Sequence, residues 1–575
     1  MSNILSVKIH PSEVVKDIGY SDLEGTNVVI INTPIREAAA PATPPEGPLL
    51  LATTLRDNYR TNASVVDLNG YRIRDDTANR DGLPNGRYLS NPETYDLLRK
   101  HFDVHGVPDM VGLSGIITTL GKQEELARMI RELAPNTHLV SGGGLATELG
   151  VGLFNYIHQL DGIVQGDGDD VVVKIAYDAK MIKLWGLNAS ISHGHMDPYY
   201  IGEVNGRHRF VYAGDSPRDL NVVPFADLEL LREDVNGFSV LEYYLGNPVW
   251  GKAANNSSAA PFTMNRSTTF VSSRGCPHAC DFCYTGVRGG REYNARSAEN
   301  VAAQIISHKK KYDVDFVGLV DDNFGISRER INDLVPLLEH VGVQWGTHMR
   351  LDEAADIRSV SESGQVVFED TKRVEQMAKA GCVYIGFGAE SASPKVLRAM
   401  NKGGFILRNG LETISILGRE YDVPRSMIYG IINSRSVGIH SNCTWIMGYP
   451  GETLSDLQIS IAFIKWQEEY YGKYGEADSV NRKMFTATAY PGTQMSSRPD
   501  VMKKMSETFG ISFEASGKPV CDEMLRKYIL CLGDATKTLT DRDGNPLNYS
   551  DMDDETFLTA RRHIDNGDLE KVLEM

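Results

Sequence analysis

The segment STTFVSS (267–273) runs into Arg274-Gly275-Cys276-Pro277-His278-Ala279-Cys280-Asp281-Phe282-Cys283-Tyr284, and this stretch decides the second half of the chain. Its cysteines are spaced C-x3-C-x2-C. Three thiolates on one short loop can hold three irons of a cubane cluster and leave the fourth iron open, and soft sulfur ligands select such centres. A zinc site would want a fourth cysteine or histidine close by. His278 lies inside the loop, so zinc stays open on composition alone. Exposed thiols at this density would oxidise with no metal to hold them, which argues against a chance grouping.

Outward from the loop the chain alternates short apolar runs with helical patterns. Ser297 is placed to cap a helix over AENVAAQIISHKKKY, with Glu299 in its first turn. DFVGLVDD (315–322), QWGTHMRLD (344–352), CVYIGFGAES (382–391), CTWIMGYP (443–450) and KMFTATAYPGT (483–493) read as strands after the first one. Thr453 with Asp456 makes a capping box ahead of Leu457, Ile461 and Ile464. Six strands between 266 and 500 predict a partial β/α barrel, because a complete one takes about 250 residues. The tail, 501–575, reads as a small mixed, α-rich region with an amphipathic helix in NYSDMDDETFLTARRHI.

The first 180 residues carry a second α/β pattern. NVVIIN (27–32), ASVVDL (63–68), MVGLSG (110–115), THLVSGG (137–143) and DGIVQGDG (161–168) read as strands, and KQEELARMIREL as a helix through Leu126, Ile130 and Leu133. This alternation predicts a parallel, doubly wound, Rossmann-like sheet, whose ligands sit at the carboxyl ends of the strands. Small residues fill three successive turns there: Ser114-Gly115, Ser141 to Gly144, and Gly166 to Gly168. Residues 181–265 read as a connector, with KAANNSSAAP (252–261) as a flexible approach to the second domain.

Composition narrows the class. The 575-residue chain is 41% hydrophobic and 23% charged, ordinary for a soluble protein. Its net charge of −17 argues against a nucleic-acid or membrane-surface binder. No apolar run approaches the roughly 18 residues of a membrane helix, and MSNILSVKIHPSEVV lacks a secretory pattern, so a cytoplasmic protein is expected. Residues 1–275 contain no cysteine, which excludes a disulfide framework there. Cys382, Cys521 and Cys531 read as core thiols, and Cys443 as a strand residue near the active face.

The cysteine loop, with Phe282 just before its last cysteine, resembles that of the radical S-adenosylmethionine enzymes. The resemblance implies a [4Fe–4S] cluster on Cys276, Cys280 and Cys283, with S-adenosylmethionine chelating the open iron and cleaved on reduction to a 5′-deoxyadenosyl radical. GFGAES around Glu390 is similar to the family's fourth-strand segment, which contacts S-adenosylmethionine, and MGYPGET (447–453), with Gly448 and Gly451, to the glycine-rich segment against the adenosyl part. Asp321, Asp322 and Asn323 resemble the second-strand end facing the cavity; Met349-Arg350-Leu351-Asp352 resembles the third and TAYPGT (488–493) the sixth. The resemblance thus places Phe282, Arg350, Glu390, Gly448 and Gly451 at the cofactors.

The N-terminal half resembles the cobalamin-binding domain fused to many members of that family. PATPPEGPLLLATTLRD (41–57), DMVGLSGIITT (109–119), LVSGGGLAT (139–147) and DGIVQGDGDD (161–170) carry it, which puts Ser114, Thr118, Gly142, Gly143 and Gly166 at the cobalamin; Asp167 and Asp169 stand where the family commonly has glutamates. Asp103-Val104-His105 lacks the correctly spaced glycine of D-x-H-x-x-G, so His105 reads as a surface loop residue and not a cobalt ligand. The domains expected are a cobalamin domain (1–180), a connector (181–265), a radical barrel (266–500) and the tail (501–575).

What the resemblance implies is a cobalamin-dependent radical S-adenosylmethionine methyltransferase. It would move methyl from methylcobalamin to an unactivated carbon or phosphorus of a small-molecule intermediate, fed by an electron donor such as flavodoxin or ferredoxin. The alternative keeps both cofactors but performs an oxidative cyclisation or rearrangement. A methylthiotransferase would bring N-terminal cysteines, which are absent, and a cobalamin sensor would not need the cysteine loop.

Overall fold

The computed structural model describes residues 9–35, 43–71, 87–246, 264–284, 292–533, 538–541 and 543–575. The chain divides into two compact units, Met1–Tyr244 with Cys521–Gly533, and Leu245–Val520 with Asp534–Met575. The expected flexible approach at 252–261 lies outside the described residues.

In the first unit, the near-continuous apolar run of β1 (Asn27–Asn32) is buried on both faces, as a central parallel strand requires. It pairs with β2 (Asn62–Asp67) on one side and β3 (Met110–Ser114) on the other, both parallel. The sheet continues through β4 (His138–Gly142) and β5 (Gly162–Gln165) to β7 (Arg207–Ala213), with β6 (Tyr200–Val204) antiparallel at the edge. The order β2-β1-β3-β4-β5 is the flavodoxin-like doubly wound order, and its switch point lies between β1 and β3. The doubly wound reading is therefore borne out. Helices Glu46–Tyr59, Asn91–His105, Leu120–Leu133 and Val171–Trp185 connect the strands. Ser90 and Glu93 form a capping box at the start of the second of these.

Three expectations change here. The stretch read as a connector supplies β6 and β7, because RHRFVYA (207–213) carries a continuous buried run, Arg209 to Tyr212, that is covered on both faces and extends the sheet. Residues 521–533 of the tail belong to the first unit: the hydroxyl of Tyr156 donates to the Asp522 carbonyl at 2.9 Å, and Arg526 pairs with Glu124 at 2.7 Å. His105 is the exposed last residue of a helix, its ring tilted against that of His101 with centroids 4.4 Å apart, and not a loop residue.

The second unit is built on six parallel strands in chain order. β8 (Ser267–Phe270) pairs with β11 (Phe316–Leu319), which pairs with β12 (Gln344–Arg350); β15 (Cys382–Glu390), β18 (His440–Met447) and β19 (Phe485–Thr486) follow. Short β9 (Ser273–Arg274) and β10 (Asn294–Ala295) pair antiparallel around the cysteine loop. Two hairpins, β13 (Ile357–Val360) with β14 (Val366–Phe368) and β16 (Leu411–Ile416) with β17 (Arg419–Pro424), are inserted between barrel strands. The predicted caps are present: Ser297 accepts from the Asn300 amide, and Thr453 and Asp456 form the capping box of Leu454–Gly472. The C-terminal helix Leu569–Glu574 closes on this unit, where Gln458 donates to the Val572 carbonyl at 3.0 Å and Lys465 pairs with Glu570 at 3.0 Å.

Phe316 is fully buried in a cluster with Met264 and Tyr384. Phe316→Ala should cost the second unit about 3–5 kcal/mol through lost transfer energy and a residual cavity. Chemical denaturation followed in that unit measures it, and an unchanged midpoint would show that β11 is not held by this cluster.

Candidate active site

The cysteine loop follows β8 and is anchored before it begins. Asp321, buried just past the end of β11, accepts from the Ser272 amide, the Ser272 hydroxyl and the Ser273 hydroxyl, each at 2.6 Å. The neighbouring Asp322 accepts from the Gly275 amide at 3.1 Å. Gly275 has φ +79°, and a Cβ there would stand 2.1 Å from the Glu292 carbonyl oxygen, so this position admits only glycine. The sequence placed Asp321, Asp322 and Asn323 facing the cavity. Instead Asp321 and Asp322 hold the loop's entry, and Asn323 donates to Glu353 at 2.9 Å.

Cys276, Cys280 and Cys283 are half-buried, with Phe282, also half-buried, among them. Burial raises the thiols of Cys276 and Cys280, and the three sulfurs act on one another electrostatically. Among the described residues, no three histidine, cysteine or acid side chains already converge in metal-holding geometry. The donor set nevertheless suits a thiolate-bound cluster: three thiols on one anchored loop, which a metal would deprotonate on binding. The imidazole within the loop, that of His278, is engaged elsewhere, its Nε2 lying 3.5 Å from Glu353.

Around the loop the barrel ends gather charge. Arg350, buried at the end of β12, directs one guanidinium nitrogen to the Cys280 sulfur at 3.9 Å, another to Asp352 at 3.0 Å and a third to the Lys402 carbonyl at 3.3 Å. A register shift lies between Gly388 and Glu390 on β15, and Glu390 has φ +65°. A bulge at a strand end re-aims a side chain, and such backbone strain in a non-glycine residue clusters at functional sites. Glu390 meets the Lys402 ammonium at 3.8 Å and accepts from the Thr444 hydroxyl at 3.3 Å; burial raises its carboxyl, and Lys402 opposes that. Gly448 and Gly451 flank the turn after β18, and the Gly448 amide is taken by Glu452 at 2.6 Å. The structure thus brings together Cys280, Arg350 and Glu390, with Lys402 between the last two. Lys402 had no signal in the sequence, because it reaches the site from a loop with no recognisable spacing.

In the first unit the predicted residues sit at the carboxyl ends of the strands. Ser114 closes β3 and its carbonyl accepts from the Thr33 amide at 3.0 Å across the switch point. Gly142 closes β4; Gly143 has φ +81°, and a Cβ there would lie 2.6 Å from the Gly115 carbonyl oxygen. Gly166 follows β5, its amide donating to Thr147 at 3.2 Å. The hydroxyls of Thr33 and Thr118 are buried with no partner. Unsatisfied buried polar groups are costly, so two of them at a switch point suit a polar ligand. Thr118 was expected; Thr33 was missed because a threonine after an apolar strand carries no distinguishing pattern.

The remaining thiols divide. Cys382 and Cys443 are buried in strands, as expected for the first. Cys521 is half-buried and Cys531 exposed, so they are not the core thiols expected. Both belong to the segment that joins the first unit, where Cys521 lines a cavity of about 530 Å³ with Tyr156 and Arg526.

A parallel partial barrel with three cysteines on the loop after its first strand defines the class, and residues 270–464 match the Radical SAM superfamily. That segment is a radical SAM domain, and the resemblance read from the cysteine loop is borne out. An uncharacterised methyltransferase of Pyrococcus horikoshii is 22% identical over 404 residues, covering 69% of each chain. Among solved structures, the cobalamin-dependent S-adenosylmethionine radical enzyme OxsB, with aqua-cobalamin and S-adenosylmethionine bound, superposes with a TM-score of 0.58 at 14% identity. It covers 92% of this chain, which spans 66% of OxsB. The radical S-adenosylmethionine methyltransferase TsrM from Kitasatospora setae, with cobalamin and a [4Fe–4S] cluster bound, gives 0.55 at 16% identity, covering 95% of this chain and 89% of its own. The chain therefore has the fold of the cobalamin-dependent radical SAM enzymes.

Two outcomes follow from the geometry. Asp321→Ala leaves the buried Ser272 amide without its acceptor and should cost the second unit about 3 kcal/mol or more. Iron bound after anaerobic reconstitution should fall with it; full iron loading would show that the loop needs no such anchor. Burial pushes the Glu452 carboxyl up to about 8, so the neutral acid is the folded form at pH 7. The stability it contributes is full below the ordinary carboxylate pKa and falls as pH rises toward 8, by about 1.4 kcal/mol per pH unit. Glu452→Gln should flatten that slope in unfolding measurements between pH 5 and 8, and an unchanged slope would place the titration elsewhere.

Proposed function

We propose that this chain is a B12-dependent radical S-adenosylmethionine methyltransferase. It transfers a methyl group carried by cobalamin to an unactivated carbon or phosphorus of a small-molecule biosynthetic intermediate. The observation that carries this reading is the pairing, on one chain, of an anchored C-x3-C-x2-C loop at a barrel strand end with a doubly wound sheet whose switch point holds two orphaned hydroxyls. Two relatives named as methyltransferases support the methyl outcome.

Cys276, Cys280 and Cys283 would hold a [4Fe–4S] cluster, and Thr33, Ser114, Thr118, Gly142, Gly143 and Gly166 would line the cobalamin site. Bound there, the cluster supplies the electron that cleaves S-adenosylmethionine, and cobalamin carries the methyl group. The chain's residues do the rest. The Arg350 guanidinium places positive charge beside the Cys280 sulfur, which favours a reduced, more negative cluster. Glu390, steadied by Lys402 and Thr444, offers a carboxylate to an ammonium or hydroxyl donor of S-adenosylmethionine. Phe282, half-buried between Cys280 and Cys283, would add an apolar ring to the loop. The electron donor would be a flavodoxin or ferredoxin. A cytoplasmic setting fits the sparse cysteines, and among the described residues no helix is long and apolar enough to cross a membrane. The net charge of −17 disfavours a nucleic-acid partner.

With its substrate and methyl-deuterated S-adenosylmethionine, the enzyme should release a product carrying the labelled methyl. S-adenosylhomocysteine and 5′-deoxyadenosine should accumulate in about equal amounts, since one cofactor gives methyl and a second gives the radical. Mass spectrometry reads both. Deoxyadenosine with an unlabelled, cyclised or dehydrogenated product would instead establish the oxidative alternative. Replacing Cys276, Cys280 and Cys283 together with alanine should abolish S-adenosylmethionine cleavage and remove the bound iron.

A further inference from the structure

Asp281 stands inside the cysteine loop, between Cys280 and Cys283, and its contacts reach three other segments of the second unit. Its amide donates to the Met400 carbonyl at 3.2 Å, and its carbonyl accepts from the Met495 amide at 2.8 Å. The backbone of the loop's second half is thus clamped by the segments after β15 and β19. The side chain goes to a third place. Its carboxylate accepts from the Tyr449 hydroxyl and pairs with the Arg498 guanidinium at 3.6 Å. Tyr449 is fully buried, lies in the glycine-rich turn after β18, and carries the Arg498 guanidinium over its ring at 5.8 Å. On one side of Tyr449, Gly448 is locked by Glu452; on the other, Pro450 fixes the backbone. The turn therefore cannot shift locally without moving the Tyr449 hydroxyl. The hydroxyl in turn cannot move without releasing a buried carboxylate two residues from Cys283.

We propose that Tyr449 is a positioning residue that couples the glycine-rich turn to the cluster loop. Its hydroxyl, donated to Asp281, holds the Cys280–Cys283 half of the loop in register with the turn, so that S-adenosylmethionine binding at the turn is felt at the iron–sulfur cluster. The inference rests on the proposed cofactors. Neither residue needs to touch S-adenosylmethionine. A tie of this kind explains why an acid is tolerated between two cluster cysteines, where an unpaired negative charge beside anionic thiolates would be unfavourable: Arg498 neutralises it and Tyr449 gives it a fixed direction.

The test uses the full chain, reconstituted anaerobically with iron and sulfide, and the variants Tyr449→Phe and Asp281→Ala. Tyr449→Phe keeps the ring, its packing and the guanidinium above it, and removes only the hydroxyl. Iron content, thermal midpoint, S-adenosylmethionine affinity and the electron paramagnetic resonance of the reduced cluster with and without S-adenosylmethionine are measured. Tyr449→Phe should keep wild-type iron but bind S-adenosylmethionine about tenfold more weakly, as expected for one hydrogen bond to a charged group. The spectral change that S-adenosylmethionine induces should be reduced. Asp281→Ala, which removes the acceptor and the Arg498 partner together, should show at least that defect, and adding Tyr449→Phe to it should weaken binding no further, because the hydroxyl has then already lost its acceptor. Wild-type affinity and an unaltered spectral change in Tyr449→Phe would overturn the coupling. So would a parallel loss of iron and stability, which would make the contact structural only. A wild-type chain that takes up no cluster would overturn the cofactor reading itself, and is distinguished by its iron content before any variant is compared.

Discussion

The site depends on one buried carboxylate. Asp321, just beyond β11, gathers two serines of the segment leaving β8, and Asp322 beside it takes the Gly275 amide. Parallel strands end in register, so a residue following the second strand is the natural anchor for a loop leaving the first. Without those contacts the segment from 271 to 275 would carry buried hydroxyls and an amide with no acceptor. With them, the chain enters Cys276 from a fixed point, and Gly275 turns in a conformation closed to any side chain. The cysteine spacing then acts on a loop whose start is set, and Asp281 sets its far half through Tyr449 and Arg498.

Both units use the same physical device. In a parallel sheet the strand carboxyl ends point one way, and the loops after them converge on a common edge. In the first unit that edge carries small residues and two orphaned threonine hydroxyls, which suits a large polar ligand lying flat on the backbone. In the second it carries Arg350, Glu390 and Lys402 around sulfur, which suits a zwitterionic cofactor beside a metal cluster. Glu390 is the one strained residue among them, re-aimed by a bulge and held there by Lys402 and Thr444. An idealised strand would have pointed that carboxylate elsewhere.

Legibility in the sequence followed the range of the interaction. The strands and caps were readable because they obey local rules: NVVIIN is a buried parallel strand, and Thr453 with Asp456 is a capping box within four residues. The cysteine loop was readable because its ligand chemistry is compressed into eight residues. Lys402, Thr33 and the Asp281–Tyr449 contact were not, since each is created by segments far apart in the chain and its residue types are common on any surface. Asp321 and Asp322 read as the end of a strand facing the cavity, and the structure shows their carboxylates holding the neighbouring loop. An acidic pair at a strand end looks the same whether it faces a ligand or holds the neighbouring loop, and only the partners distinguish the two. The edge strands β6 and β7 read as a connector because two short, mixed strands at a sheet margin lack the apolar run that marks a central one.

The central claim is that one chain holds an iron–sulfur cluster and a corrinoid together. Metal analysis with electron paramagnetic resonance on the full chain, loaded anaerobically with iron, sulfide and cobalamin and then reduced, tests it most directly. The account predicts about four irons and one cobalt per chain, with an iron–sulfur signal that changes on adding S-adenosylmethionine. A chain that retains iron but no cobalt, or cobalt but no iron, would contradict it.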